Sequence, residues 1–524
     1  MKTISKIELK NYRRFTSLAV DFHDKVNILI GDNESGKSSI LEAIELTISG
    51  SRHKVETIGI DRILSKAAIQ EFWDTDKTFA RLPKIRVEVF LEDTGIAELN
   101  GRNNTKGIVA DGIQMVCEPD PELAGVITTI IGDGANNFPY EFYKISFRTF
   151  ADIPYTGYNK WLKYLSIDSS QINNEHATRE YIKNIYSTFV EPIKRVELQN
   201  NYRRSKSDFT ETSLNEVNQE LGTQAFIVNS SHRSNLENDL TITEDNIPIE
   251  SRGKGKQCFI KTEFALSKIE NNSLDALLLE EPENHLSQSN MRLLVDKIQK
   301  SQPNQLFIAT HSDLICTRLD LRYATLLNSN STDSALPLKD LPKETAGFFM
   351  KAPNTNILEF VLSKKVILVE GNAEYILLPT LYTNSSGSTL NVDSVHVISV
   401  GGTSFKRYLD IAKVLGIKVA VIRDNDKNGE QHCVQNYTDY IGAGNDNMKV
   451  FFDADNEKHT FEVCIYNENS EHCDSVIRTE GMRLGTLEWM LKNKAEASHK
   501  LSLNQPEDLV TPAYIREAIE WIRE

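Results

Sequence analysis

The chain has 524 residues, of which 40% are hydrophobic and 25% charged, and its formal net charge is -15. These proportions exclude a disordered, fibrous or collagen-like chain. The acidity excludes a small, uniformly basic nucleic-acid binder, but not a basic groove on an acidic surface. At roughly 100–200 residues per domain the length predicts about two to four domains, able to bury cores without a disulfide or metal staple. Six cysteines (Cys117, Cys258, Cys316, Cys433, Cys464 and Cys473) form no CxxC pair, which argues against a zinc ribbon or a secreted disulfide framework. No run of ~18 apolar residues occurs, so no membrane span is expected. The amino-terminal segment lacks the apolar core of a signal peptide, and the expected setting is cytoplasmic.

In chain order, Ile4–Leu9 and Leu18–Phe22 alternate as the arms of a β-hairpin, and Val26–Ile30 is a short apolar strand. A glycine loop follows, then a helix with apolar positions Ile40, Leu41, Ile44 and Ile48. Over 83–150 the segments IRVEVFLED, GIQMVCEP, GVITTIIGDG and YKISF read as antiparallel strands. Residues 155–225 are polar, with helical spacing at Trp161 and Leu165 and at Tyr181, Ile185 and Phe189, and read as a helical insertion. Strand–helix alternation then returns, with LDALLLEEP and QLFIATHSD as buried parallel strands. The polar stretch 328–344 is the expected linker. A second strand–helix series follows in KVILVEG, VHVISVGG and VAVIRDNDKNG. The predicted class is therefore α/β: a P-loop head over 1–154 and 226–345, interrupted by the insertion 155–225, and a second α/β domain over 346–524.

Gly31–Ser38, GDNESGKS, matches GxxxxGK[ST] between a strand and a helix, the context that the motif requires. Its backbone amides and the helix start would cradle the phosphates of ATP. Asn33, Gly36, Lys37, Ser38 and Ser39 are the predicted contacts, with Lys37 on the β/γ-phosphates and Ser38 on Mg²⁺. The strand ALLL ends in Glu280-Glu281, where Glu280 would hold Mg²⁺ and Glu281 would orient and deprotonate the attacking water. His311, after the apolar strand QLFIAT, suits a γ-phosphate sensor. Ser251, Gly253 and Gly255 precede an apolar helix and read as a second anion site that closes over the γ-phosphate from another subunit. With the opening KNYRRF, these motifs resemble the SMC/RecF-type ATPases of the ABC superfamily. The resemblance implies nucleotide-dependent closure of two heads. SRGKGKQ departs from the usual LSGGQ signature.

In the carboxyl-terminal part, Glu370 ends a strand and Glu374 lies in the following helical turn. Gly401-Gly402 makes a tight turn, and Asp424 and Asp426 alternate in an extended segment, so that both can face one ion. Glu462 adds a further carboxylate. Hard oxygens without His or Cys fit Mg²⁺ or Mn²⁺. Two such ions ~4 Å apart activate water at a phosphodiester. The DNDKNG run also opens like an EF-hand loop, but Gln435 stands where that loop needs Glu, which excludes calcium binding.

The ordered set resembles a Toprim domain. An ABC-type ATPase followed by Toprim is the arrangement of the OLD (overcoming lysogenisation defect) nucleases, the group that includes the Gabija nuclease subunit. The resemblance implies metal binding at Glu370, Glu374, Asp424, Asp426 and Glu462, and a catalytic lysine at Lys494 in KAEA, with Lys492 or Lys500 as alternatives. It also implies DNA cleavage in phage defence, dimerisation or higher homo-oligomers through the insertion, and a partner such as a helicase or a reverse transcriptase with its DNA product. An ATP-gated DNA-binding or regulatory protein with an inactive Toprim domain is the competing reading. Two basic clusters are candidates for DNA phosphates: Lys6, Lys10, Arg13 and Arg14, and Arg195, Arg203, Arg204 and Lys206.

Overall fold

The computed structural model describes every residue except 1, 133–136, 158–159, 170–174, 222, 230–234, 271–273, 301–303, 329–333, 353–354, 443, 480–481 and 505. Two compact units result: Met1–Ser312 with Leu327–Ala335, and Asp313–Leu326 with Leu336–Glu524. The second unit therefore takes in 313–326, which the sequence groups with the head. Part of the expected linker, 329–333, lies outside the described residues, and within the remainder Ala335–Pro337 is a short strand.

In the first unit, strands β1 (Ile4–Tyr12) and β2 (Phe15–Asp21) form the expected hairpin, with Leu9 opposite Leu18. Strand β3 (Val26–Gly31) leads through the glycine loop into helix α1 (Lys37–Ser49). Strands β4 (Ile85–Leu91), β5 (Ala110–Pro119) and β6 (Tyr143–Thr149) extend the hairpin antiparallel in the order β2-β1-β4-β5-β6. The third segment read as a strand, GVITTIIGDG, is instead helix α2 (Ala124–Gly132). Its β-branched residues favour a strand, but Ile127 and Ile131, one helical turn apart, both reach the core.

Strand β7 (Tyr164–Asp168) lies inside the stretch expected to be all helical. It begins a parallel sheet of order β7-β8-β9-β3, with β8 (Ala276–Glu280) and β9 (Leu306–Ala309). Helices α3 (Glu175–Phe189) and α4 (Pro192–Thr212) follow β7, and helix α5 (Lys254–Glu270) precedes β8. Ile40, Ile44 and Ile48 of α1 belong to one core with Val87 and Ile113 of the antiparallel sheet and Leu278 and Phe307 of the parallel one. The loop before α1 is thereby held at the carboxyl edge of the parallel strands, where open α/β sheets place their sites.

The second unit holds a four-stranded parallel sheet. Its strands are β10 (Lys365–Val369), β11 (Val395–Ser399), β12 (Lys418–Ile422) and β13 (Met448–Phe451), in the order β11-β10-β12-β13. Helices α6 (Asn372–Ser386), α7 (Phe461–Glu468), α8 (Lys494–Leu503) and α9 (Ala513–Arg523) pack on it. Among the described residues no helix is long and apolar enough to cross a membrane.

Candidate nucleotide cleft and carboxylate centre

Gly36 takes φ 99°, and a Cβ there would overlap the Phe15 ring, so only glycine lets the loop close on α1. The Lys37 ammonium folds back to the Gly31 and Asp32 carbonyls at 2.8 and 2.9 Å, the oxygens a nucleotide phosphate would replace. Burial lowers its pKa, against the pull of Glu281, Asp32, Glu280 and Glu283. Asn33, Gly36, Lys37, Ser38, Ser39, Glu281 and His311 all line one cleft of about 880 Å³.

Glu280 accepts from the Ser38 hydroxyl, and its pKa is pushed up to about 7 by burial, then by Asp168 and Glu281. Asp168 stands beside Glu280 in register across β7 and β8, a carboxylate missed because YLSID was read as helical. Glu281 sits at φ 43°, accepts from Asn284 at 2.6 Å and faces His311 Nε2 at 3.7 Å. Burial, then Lys37, lowers the His311 pKa, which keeps the ring neutral at pH 7. Glu283 Oε1 accepts from the Thr310 hydroxyl at 2.7 Å and the His311 amide at 2.6 Å. It thereby ties the loop after β8 to the loop after β9, a role that only the third acid of EEPE signalled.

Ser251, Gly253 and Gly255 do not line this cleft. Helix α5 already begins at Lys254, and a Cβ on Gly255 would overlap the His285 carbonyl oxygen. Gly255 thus allows α5 to pack closely on the loop after β8. The basic residues near the start have these places in the fold. Arg13 pairs with both Glu42 oxygens, at 2.9 and 2.7 Å, and Arg13 and Arg14 line the nucleotide cleft, while Lys6 pairs with Glu8.

In the second unit, Glu370 and Asp424 follow the carboxyl ends of the adjacent strands β10 and β12. Gly402 donates its amide to the Glu370 carbonyl at 2.9 Å. Glu374, in the first turn of α6, accepts from the Gly371 amide at 3.2 Å and so also caps its helix. Asp424 Oδ1 accepts from the Phe461 amide at 2.8 Å, which brings the start of α7 and Glu462 to the cluster. Glu462 is 2% exposed and pairs with Lys494 at 2.9 Å. Lys492 pairs with exposed Glu488, and Lys500 lies over Trp489, so Lys494 is the late lysine that reaches the acids.

Burial, then Glu374, Glu370 and Glu462, pushes the Asp424 pKa up to about 8. Burial and neighbouring carboxylates raise Glu370 and Glu374 as well. The Lys494 pKa is raised by Glu462, Asp424 and Glu374, which outweigh its burial. Asp426 departs from the extended geometry expected of it. It sits in a turn at φ 51°, half exposed and 3.7 Å from Arg423, although its charge still acts on Glu370. Asn425 between them is buried and donates to the Asp453 and Asp455 carbonyls.

Among the described residues, no three His, Cys, Asp or Glu side chains stand close enough as they are to hold one ion. The donor chemistry nevertheless fits a hard divalent cation. All the donors are carboxylates, and Glu370 Oε2 and Glu462 Oε1 are buried with no hydrogen-bond partner among the described residues.

The chain belongs to the AAA ATPase domain family, whose model matches residues 1–110 and 126–316. Its second half carries the TOPRIM domain of Overcoming lysogenization defect protein-like proteins, matched over 361–426, a span that includes Glu370, Glu374, Asp424 and Asp426. A P-loop ATPase head followed by an OLD-like Toprim domain is thus the architecture, as the motifs implied. The chain is 40% identical over 91 residues to the DNA replication and repair protein RecF of Bacillus cytotoxicus, which is 17% of this chain and 22% of that protein. It therefore spans about a fifth of the length of the curated relatives it matches. Among solved structures it is similar to the C-terminal region of the Xanthomonas campestris pv. campestris OLD protein, at 24% identity and TM-score 0.25 over 31% of this chain and 94% of that one. It is also similar to the Smc head domain bound to the C-terminal domain of ScpA, derived from Pyrococcus furiosus, at 12% identity and TM-score 0.34 over 65% and 97% of the two chains.

Proposed function

We propose that the first unit binds and hydrolyses ATP and that the second is a metal-dependent DNA endonuclease under its control, acting in phage defence. The observation that carries the nuclease reading is the convergence of Glu370, Glu374, Asp424 and Glu462 with Lys494 at the carboxyl ends of parallel strands. Burial and neighbouring carboxylates raise the pKa values of Glu370, Glu374 and Asp424, which makes a site that favours added positive charge.

In the head, Lys37 leaves the Gly31 and Asp32 carbonyls for the β/γ-phosphates. Ser38 and Glu280 would hold Mg²⁺, Glu281 takes a proton from the attacking water, and neutral His311 donates to the γ-phosphate. In the second unit, bound Mg²⁺ or Mn²⁺ supplies Lewis acidity and an ionised water. Glu370, Glu374, Asp424 and Glu462, with Asp426 at the rim, would hold it. Lys494, about half exposed, turns from Glu462 toward the scissile phosphate and offsets its charge. The proposed partners are DNA, a second copy of this chain, and a helicase or a reverse transcriptase with its product.

Nicking of supercoiled plasmid by the purified chain, with Mg²⁺ or Mn²⁺ and with or without ATP, tests the reading. Glu370→Ala is expected to abolish nicking and to spare ATP hydrolysis. No cleavage by the wild-type chain under any condition would overturn the nuclease assignment in favour of an ATP-gated DNA-binding protein.

A further inference from the structure

Helix α1 has the P-loop at its amino end, and a second and larger cavity opens at its carboxyl end. This cavity has a volume of about 1260 Å³ and is walled by Ser49–Lys54, by Tyr155 and Tyr164, and by α3 and the first turns of α4. Thirteen helical residues, about 20 Å, separate the two ends, more than one nucleotide's triphosphate reaches. The cavity is strongly basic. Among the described residues, Arg52, Lys54, Lys160, Lys183, Arg195 and Arg203 line it against a single acidic lining residue, Glu237.

The cations are set into the walls. Lys54 is held by Glu45 at 2.5 Å, and Lys160 lies over the buried Tyr164 ring at 5.4 Å. Burial, then the nearby charges of Lys54 and Arg195, lowers the Lys160 pKa, so three cations crowd one space. Two donors, Arg195 Nε and the Tyr186 hydroxyl, are buried with no hydrogen-bond partner among the described residues. The 21-residue α4 begins at the same wall with Pro192 and Ile193, and its cap residue Glu191 makes no side-chain cap hydrogen bond, so the start of the helix borders the cavity. Crowded cations, orphaned donors and a helix start together call for a multiply charged anion.

We propose that this cavity is a second ligand site, for a phosphorylated small molecule of nucleotide size, separate from the ATP cleft. Its volume suits such a ligand. Tyr164 in its wall is buried and Lys54 is partly so.

The test is calorimetric titration of the full chain with inorganic tripolyphosphate, which has no base to bias it toward either site. Wild type is expected to bind two per chain and Lys37→Ala one. Adding Lys160→Gln and Arg195→Gln should weaken the remaining site about tenfold or more. In the otherwise wild-type chain those two changes should leave ATP affinity unchanged. Arg195→Lys keeps the charge and removes the Nε donor. An intermediate loss there at an unaltered melting temperature separates ligand contact from misfolding. One site in wild type and none in Lys37→Ala would overturn the proposal. So would a 20-nucleotide DNA that competes at the second site while tripolyphosphate binds there no more weakly in the variants, which would make this face a nucleic-acid surface.

Discussion

Asp424→Asn is expected to abolish cleavage and yet to stabilise the metal-free protein. The wild-type carboxyl is held near pKa 8 in the folded chain by burial and by Glu374, Glu370 and Glu462, against about 3.9 when unfolded. The folded state therefore binds more protons between about pH 4 and pH 8, so wild-type stability falls as pH rises through that window and the loss is complete above 8. About four units at ~1.4 kcal/mol each sets a ceiling near 5–6 kcal/mol. Protonation of any one acid relieves its neighbours, which brings the gain from a single neutral replacement to about 2–4 kcal/mol at pH 8. The amide keeps the one acceptor that the fold uses, because Oδ1 still receives the Phe461 N–H at 2.8 Å. For a unit of about 200 residues the gain corresponds to a rise in melting temperature of about 5–15 °C. Thermal melts with EDTA at pH 4, 6 and 8 measure it: the variant should match wild type at pH 4 and exceed it progressively above. Added Mg²⁺ should then raise the melting temperature of wild type and not of the variant. A variant that is no more stable than wild type at pH 8, or one whose offset does not change with pH, would refute the account of mutually repelling carboxylates.

Glu281→Gln should lower ATP turnover by about 100-fold or more while nucleotide affinity is retained, measured by phosphate release and equilibrium binding. Lys494→Met should reduce nicking about 100-fold, and because it leaves Glu462 buried and unpaired it should also lower the melting temperature of the metal-free chain. Gly255→Ala should destabilise by about 1–3 kcal/mol in urea unfolding, although Gly→Ala within a helix ordinarily stabilises. The added methyl would overlap the His285 carbonyl oxygen, and that clash decides the sign.

Several features were legible because their chemistry is local. Gly31–Ser38 has its strand and helix immediately beside it in sequence, within Val26–Ser49, and the cleft contains Asn33, Lys37 and Ser39 as read. Glu280, Glu281, His311, Glu370 and Asp424 each follow an apolar run that can only be a buried strand, so their place at a carboxyl edge is implied by the run itself. Other features depend on partners distant in sequence. Asp168 matters because β7 lies beside β8, 112 residues away across the register. Glu283 matters because its oxygen meets His311 after β9. Arg13 is placed at the cleft by its pairing with Glu42 on α1.

The composition, the order of the motifs and the identity of the acids were thus set by sequence alone, since strand periodicity and glycine chemistry act over a few residues. Tertiary structure decided three further points. It selected Lys494 among three lysines, it packed Gly255 against the His285 carbonyl, and it made Asp424 and Glu462 neighbours. Charge and steric effects act through space over a few ångströms, and that proximity exists only once the chain has folded.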